Sequence, residues 1–212
     1  MPQRDVVNNS MIFGLCRCQL TLDAMTLFDN MSQCDVGSWN STISGLAQNS
    51  EGKNELFLFK KMRLEGAEVD VMTMSGVLSV CADLAALVNG KQVYGLVIKY
   101  GFELYLPVGN AIIDMFAKWG CMEDACQFFM NMPIKNVVSW TSLIVGYGKH
   151  GLGWEALEAF DEMERKGIVP NKIAFLGTLY ACSHAGLVQK GWVNFNTMVH
   201  KYSITPMNDS FM

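Results

Sequence analysis

The chain has 212 residues, of which 50% are hydrophobic and 17% are charged, and its formal net charge is −4. No apolar run approaches the roughly 18 residues that a membrane span requires, so we expect no membrane partner. The acidic balance weighs against a partner held by bulk attraction to phosphate. Seven cysteines, an odd number, favour free thiols in a reducing compartment over a disulfide framework.

The two ends of the chain indicate a longer array. Residues 1–5, MPQRD, match MPIKN at 132–136 and predict the tail of a preceding repeat. They are neither Arg- and Ser-rich nor followed by an apolar core, so they do not read as a targeting peptide. Residues 208–212 begin a further unit without completing it. We therefore expect a fragment of a repeat protein.

Residues 137–171 form the clearest unit and predict two helices. Four large apolar side chains at i, i+3, i+4 and i+7 indicate a first helix, called helix A: Trp140, Leu143, Ile144 and Tyr147. A second apolar stripe indicates helix B: Ala156, Leu157, Phe160 and Met163. Gly167 accepts the left-handed conformation and Pro170 cannot continue a helix, so together they predict the stop.

The same pattern recurs 101 residues earlier, where Trp39 corresponds to Trp140 and Cys81 to Cys182. We expect both tryptophans in the core and both cysteines buried, since they lie in apolar stripes or beside alanines. The period of 101 residues comprises three units of 35, 35 and 31 residues, and the chain contains six units: 6–35, 36–70, 71–105, 106–136, 137–171 and 172–207. In the unit 36–70, Glu55 stands where the clearest unit has Ala156.

Stacked hairpins of this kind predict an all-α fold without strands, a right-handed αα-solenoid (superhelix) of helix-turn-helix repeats with helix A on the concave side. We expect the turns between helices near five glycines: Gly52, Gly90, Gly120, Gly153 and Gly191.

Several stretches resemble pentatricopeptide repeats: SWNSTISGLAQN, VLSVCADLAALVNGKQVYGLVIKYGF, VGNAIIDMFAKWGCMEDACQFFMNMP, SWTSLIVGYGKHG and LYACSHAGLVQKG. The alternating repeat length is similar to the P, L and S repeats of land-plant organellar proteins. The resemblance assigns S type to 6–35 and 106–136, P type to 36–70 and 137–171, and L type to 71–105 and 172–207.

The resemblance implies single-stranded RNA binding in mitochondria or chloroplasts, with one base read by the fifth and last residues of each repeat. The fifth residues are Asn9, Asn40, Ser75, Asn110, Thr141 and Leu176. The last residues are Asp35, Asp70, Tyr105, Asn136, Asn171 and Met207. The resemblance thus assigns base reading to the four pairs outside the L-type units: Asn9/Asp35, Asn40/Asp70, Asn110/Asn136 and Thr141/Asn171.

The second residue of each repeat is implied to flank the base. Val7, Val138 and Ile173 have the expected branched apolar side chain, whereas Gly37 and Pro107 depart from it. The family's code implies a site 5′-U-U-N-Y-A-N-3′, with the protein's N-terminus toward the 5′ end. The competing interpretation of an Asn at a helix start is an N-cap, although its recurrence favours base contact.

No catalytic, metal or cofactor site is predicted. A zinc deaminase needs H-x-E with a downstream C-x-x-C, and neither string occurs. Cys16 and Cys18 are too close for a zinc knuckle, and the histidines His150 and His184 have no partner at ligand spacing. We expect this chain not to be an enzyme, and any catalysis to be supplied in trans or by a further domain.

The favoured function is a sequence-selective RNA-binding module of an organellar editing or processing factor. We expect a monomer that works with editing-complex proteins or a deaminase supplied in trans. The alternative is a protein-binding, tetratricopeptide-like helical scaffold. The acidic balance favours that alternative, and the alternating repeat length counts against it.

Overall fold

The computed structural model describes residues 2–31, 34–49 and 51–205, with side chains from residue 6 onward. Met207 and the predicted start of a further unit at 208–212 lie outside these residues. Within them the chain is helical and has no strand, which confirms the predicted all-α class. None of the described helices is both long and apolar enough to cross a membrane.

Twelve α-helices occur in the described residues, with a 3-10 turn at Phe102–Leu104 and a π-helical turn at Thr197–Lys201. The odd-numbered helices are the A helices of successive hairpins, and the even-numbered ones are the B helices. Their bounds are α1 Pro2–Arg17, α2 Thr21–Asp29, α3 Val36–Gln48, α4 Gly52–Leu64, α5 Val71–Asp83, α6 Leu87–Tyr100, α7 Leu106–Lys118, α8 Met122–Asn131, α9 Val137–Lys149, α10 Gly153–Arg165, α11 Lys172–His184 and α12 Val188–Asn196.

Helix α1 differs from the sequence expectation at its start. Residues 2–5 belong to the helix, whereas the sequence pattern predicted a tail before the first repeat. A proline is tolerated in the first helical turn, because its missing N–H would have no intrahelical partner there, so Pro2 does not prevent this extension.

The chain divides into two compact units, unit 1 at 1–111 and unit 2 at 112–212, which contain the same packing motif. In unit 1, Phe28 of α2 meets Trp39 of α3 edge-on with ring centroids 4.7 Å apart. In unit 2, Phe129 of α8 meets Trp140 of α9 edge-on, also at 4.7 Å. Both tryptophans are buried, as predicted. The aromatic pair therefore joins a B helix to the next A helix in each unit.

Two of the predicted turn positions between helices, those near Gly90 and Gly191, are wrong. Both glycines lie inside B helices, and the left-handed turn residues of those hairpins are Ala85 and Gly186. A Cβ on Gly191 would lie 3.3 Å from the side chain of Cys182 on α11. The glycine thus allows close approach of the two helices of a hairpin, a requirement that looks like a turn signal in sequence.

The predicted helix stop at the end of α10 is confirmed. Gly167 has φ of +73°, in the left-handed region. The backbone N–H of Ile168 donates to the carbonyl oxygen of Met163 at 3.1 Å, which satisfies a carbonyl that the helix end leaves without a partner. Cys81 and Cys182, which were predicted to be small buried residues, are buried and form no disulfide.

Glu55 on α4 is a buried carboxyl group, and neither of its oxygens has a hydrogen-bond partner. Its neighbours offer no positive charge: α3 carries no titratable side chain, and Asp83 and the Cys81 thiol on α5 interact with it. Burial, together with the negative charge of Asp83, raises the pKa of Glu55 to about 8. Glu55 is therefore protonated in the folded chain at neutral pH.

We expect Glu55 to make the free energy of unfolding fall as pH rises from about 4.5 to about 8. Below that window both the folded and unfolded states hold the proton; within it only the folded state does, and above it the loss is complete. At roughly 1.4 kcal/mol per pKa unit, the loss is on the order of 5 kcal/mol. Glu55→Gln should match the wild type near pH 5 and become more stable than it toward pH 8 in thermal unfolding followed by circular dichroism.

The matched control is Glu68→Gln, which removes an exposed carboxylate from the same unit. Its difference from the wild type should not change across the pH range. A Glu55→Gln difference that is equally constant would show that Glu55 ionises without cost in the folded state.

Candidate nucleic-acid interface

The last residues of four repeats are the N-caps of the following A helices. In each case the side-chain Oδ1 accepts the backbone N–H three residues on: 2.7 Å for Asp35, 2.8 Å for Asp70, 3.0 Å for Asn136 and 2.9 Å for Asn171. The N-cap interpretation, which competes with base contact for an Asn at a helix start, thus applies to these positions. A cap uses one oxygen, however, and each of these side chains has a second polar atom.

The identity of that second atom depends on the residue. Aspartate has a carboxylate Oδ2, which only accepts, and asparagine has an amide Nδ2, which only donates. At Asp35 the carboxylate is the form present, because hydrogen bonds from the Ser38 hydroxyl and backbone N–H lower its pKa. Capping therefore leaves an acceptor at Asp35 and Asp70 and a donor at Asn136 and Asn171.

Three of the predicted pairs come together in the structure. Asn40 Nδ2 donates to Asp70 Oδ2 at 2.7 Å, and Asn9 Nδ2 lies 3.5 Å from Asp35 Oδ1. Thr141 Oγ1 lies 3.4 Å from Asn171 Oδ1.

For the fourth pair the structure describes the two residues separately. Asn110 lies on α7 in unit 1, and Asn136 caps α9 in unit 2. The Asn110/Asn136 pair therefore stays a prediction.

Thr141 is more buried than its predicted role suggests. Its side chain is 7% exposed, and its hydroxyl lies 2.6 Å from the carbonyl oxygen of Val137, one turn back on α9. When the hydroxyl donates to that carbonyl, its oxygen still has a lone pair that can accept. Thr141 and Asn171 then combine an acceptor with the Nδ2 donor.

An open pocket of about 260 Å³ lies at this pair in unit 2. Val138 on α9 and Ile173 on α11, the two predicted base-flanking residues of these repeats, both line it. Both are solvent-exposed, as is Val7 on α1. At Gly37 on α3 a Cβ would lie 3.3 Å from Asn9 Nδ2 and from Asp35 Oδ1, so the flanking position there lies against a reading pair without a side chain.

Sequence reasoning missed seven further residues that line the pocket, including a set on one face of α9 and a lysine on α7. Ser142, Val145 and Lys149 follow Val138 at i+4, i+7 and i+11, so they share its helical face, and Lys118 at the end of α7 lies on the same rim. The 3.6-residue period starting from Val138 was the signal that could have identified the first three. Lys149 is exposed, and Lys118 pairs with Asp114 at 2.8 Å.

The charges of the three consecutive helices α9, α10 and α11 in unit 2 are segregated. The A helices α9 and α11 carry Lys149 and Lys172 and no acidic residue. The B helix α10 between them carries five acidic residues and one basic residue. The pocket therefore opens beside the lysine-bearing helices α9 and α11, and its one acidic lining residue, Asp114, is paired with Lys118.

Metal chemistry has no support in the described part of the chain, where no three His, Cys, Asp or Glu residues cluster. His150 lies at the end of α9 with Nε2 2.6 Å from the carbonyl oxygen of Ala117, in agreement with its predicted structural role.

Successive helical hairpins, several of which place a polar pair near the start of an A helix, define a helical-repeat protein. The sequence matches the family model described as PPR repeat family over 135–184 and the one described as PPR repeat over 9–36, 37–66 and 110–137. The chain belongs to the pentatricopeptide repeat (PPR) family.

Similar proteins come from plants. A pentatricopeptide repeat-containing protein of Arabidopsis thaliana is 41% identical over 189 residues, which are 89% of this chain and 26% of that protein. Another from the same organism, labelled mitochondrial, is 40% identical over 189 residues, covering 89% of this chain and 30% of that protein. The chain thus spans about a quarter to a third of the length of these relatives.

Solved structures share the fold. The crystal structure of the pentatricopeptide repeat protein PPR10 from maize is similar over 95% of this chain and 30% of that chain, with a TM-score of 0.71 and 20% identity. PPR10 in complex with an 18-nt psaJ RNA element is similar over 97% of this chain and 41% of that chain, with a TM-score of 0.50 and 16% identity.

The cap and any reading role of Asp70 can be separated by substitution. Asp70→Ala removes the acceptor of the Thr73 N–H and should destabilise α5 by about 1 kcal/mol. Asp70→Asn keeps Oδ1 and should leave α5 as stable as in the wild type. Hydrogen exchange of the first turn of α5 should accelerate in the alanine variant alone, and equal acceleration in both would mean that the carboxylate charge, rather than the cap, stabilises the helix.

Proposed function

We propose that this chain is a sequence-selective single-stranded RNA-binding module that takes one base per repeat, as part of an organellar RNA editing or processing factor of the P, L and S subclass. The observation that carries the proposal is the pocket in unit 2, where a polar pair and two exposed apolar side chains converge: Thr141, Asn171, Val138 and Ile173. Polar atoms suit a base edge and apolar side chains suit its faces. The solved complex of PPR10 with an RNA element supports the same class of ligand.

The atoms of each pair suggest which base fits. Asn40 offers N–H groups beside the acceptor Asp70 Oδ2, and uracil has the matching carbonyl acceptor beside its N3–H donor. Thr141 offers an acceptor beside the donor Asn171 Nδ2, and adenine has the matching N6 donor beside its N1 acceptor. These patterns agree with the site implied by the family's code, 5′-U-U-N-Y-A-N-3′. Asn110 with Asn136 is the proposed pyrimidine reader.

Location and partners are part of the proposal. One relative is labelled mitochondrial, which supports an organelle, either mitochondrion or chloroplast. Editing-complex proteins or a deaminase supplied in trans would carry out the chemistry, and we assign no catalytic step to this chain.

Binding to immobilised RNA tests the function. The chain should be retained on single-stranded 5′-UUNYAN-3′ RNA at low salt, released as salt rises, and not retained on the duplex. Absence of retention at low salt, together with capture of an extended peptide, would favour the protein-binding scaffold instead.

Asn171→Asp should change the preferred base from A to G at the position of its repeat. Aspartate keeps the cap of α11 through Oδ1 and replaces the Nδ2 donor by an acceptor, which suits the N1 and N2 donors of guanine. We expect the preference to shift by roughly 1–3 kcal/mol, as for a good base-edge contact. The measurement is a pair of titrations against RNAs that differ only at that base.

Gln189→Glu is the control for the added negative charge, because it places that charge on an exposed position of α12. It should weaken binding to both RNAs slightly and equally. If Asn171→Asp behaves in the same way, then Asn171 caps α11 without reading a base.

Lys149→Gln should reduce the salt dependence of binding. Lys149 lies on the rim of the pocket and is exposed, so we expect it to neutralise one phosphate. The slope of log K against log salt concentration should fall by about 0.7 for a single-stranded ligand. Lys190→Gln, on exposed α12, should leave the slope unchanged, and an equal decrease in both variants would show non-specific attraction only.

A further inference from the structure

We propose that Tyr180 on α11, with His184 packed against its ring, forms an aromatic platform that stacks on the nucleobase immediately 3′ of the one in the Thr141/Asn171 pocket. The inference rests on the proposed RNA-binding function. It gives the repeat 172–207 a role in binding through stacking, although its fifth residue, Leu176, cannot hydrogen-bond a base.

The position of the two residues follows from the pocket. On α9 the pocket is lined along one face by Val138, Val145 and Lys149. The next repeat begins 35 residues later, and the equivalent face of α11 holds Ile173, Tyr180 and His184. Ile173 itself lines the pocket, so this face of α11 continues directly from it.

The two rings are exposed and in contact with each other. Their centroids lie 4.2 Å apart, and the Tyr180 side chain is 49% exposed. The buried side of α11 consists of other residues, including Phe175, Ala181 and Cys182. Core packing therefore does not account for Tyr180. The ring planes are tilted by 53°, so Tyr180 is the ring that can stack on a flat base, and its contact with a histidine one turn away restricts its rotation.

A comparison of two repeats of this chain indicates that the fold does not require an aromatic pair at these positions. The residues 101 positions earlier, at the same places on α5, are Ser79 and Asp83. Neither can stack on a base, and Asp83 would repel a phosphate. The aromatic pair thus distinguishes the repeat 172–207 from its counterpart at 71–105, and neither the helix nor the hairpin depends on it.

Stacking predicts affinity without base preference, because every base has an aromatic face. Tyr180→Ala should weaken binding to 5′-UUNYAN-3′ RNA about tenfold whichever base is at the last position. Tyr180→Phe keeps the ring and should bind like the wild type. With 2-aminopurine at the last position, the wild type should quench its fluorescence on binding, and Tyr180→Ala should not.

The control is Trp192→Ala on α12. Trp192 is 64% exposed and stacks on the half-buried Phe195 with centroids 5.7 Å apart, so it is also an exposed aromatic side chain in contact with a second ring in unit 2, but on a B helix. Its loss should leave both affinity and quenching unchanged. RNA that lacks the last base should bind the wild type about as weakly as intact RNA binds Tyr180→Ala.

The possible failures are distinguishable. If the wild type binds no single-stranded RNA, the proposed function itself is wrong. If the wild type binds and Tyr180→Ala binds equally well, the platform is wrong and the pocket stands. If Tyr180→Ala weakens intact RNA and RNA lacking the last base by the same factor, Tyr180 acts through the shape of α11, and stacking is again overturned.

Discussion

The hydrogen bond that caps each of the helices α3, α5, α9 and α11 is the constraint on which both the fold and the candidate interface depend. It ends the inter-repeat segment, starts the helix and fixes one oxygen of the cap residue, so the position of the second polar atom is determined as well. Aspartate and asparagine cap helices about equally well. Exchanging them therefore alters what the position offers to a ligand and leaves the helix unaffected. A repeat protein built in this way can change its recognition chemistry with little effect on stability.

The pairs differ in how firmly they are held before any ligand binds. The Thr73 hydroxyl lies within hydrogen-bond distance of both Asn40 Oδ1 and Asp70 Oδ1 and can donate to either, so the Asn40/Asp70 pair belongs to a network that also caps α5. Thr141 and Asn171 are separated by 3.4 Å, and the Thr141 hydroxyl has a shorter contact with its own helix. A prearranged pair loses less conformational entropy on binding than one that must reorient. Repeats of the same sequence type can therefore contribute unequally to affinity.

Periodicity predicted the helices because apolar residues recurring at helical spacing must share one face, and Trp39 and Trp140 are buried for that reason. Periodicity did not locate the turns at Ala85 and Gly186, because a glycine required for close helix packing, such as Gly191, cannot be distinguished in the sequence from a glycine required for a turn. The sequence showed that Glu55 occupies the position of an alanine in the clearest unit. Its lack of a partner, however, depends on which charges α3 and α5 bring near it. Similarly, the family resemblance predicted which residues are the fifth and last of each repeat. Only the structure shows which side-chain atom of the last residue caps the helix and which is its second polar atom.

Net charge was the strongest sequence argument for a protein ligand, and the structure shows why it is a weak one. The acidic residues of unit 2 are concentrated on α10, whereas the pocket opens between the lysine-bearing helices α9 and α11. An α-helix with its side chains is about 10–12 Å across, and the Debye length at physiological ionic strength is about 8 Å. Carboxylates on the far side of a B helix are thus separated from the pocket by more than a screening length, while Lys118 and Lys149 lie on its rim. The one carboxylate that lines the pocket, Asp114, is paired with Lys118 at 2.8 Å, so Lys149 adds a net positive charge at the rim, and an overall acidic chain of this architecture is compatible with a polyanionic ligand.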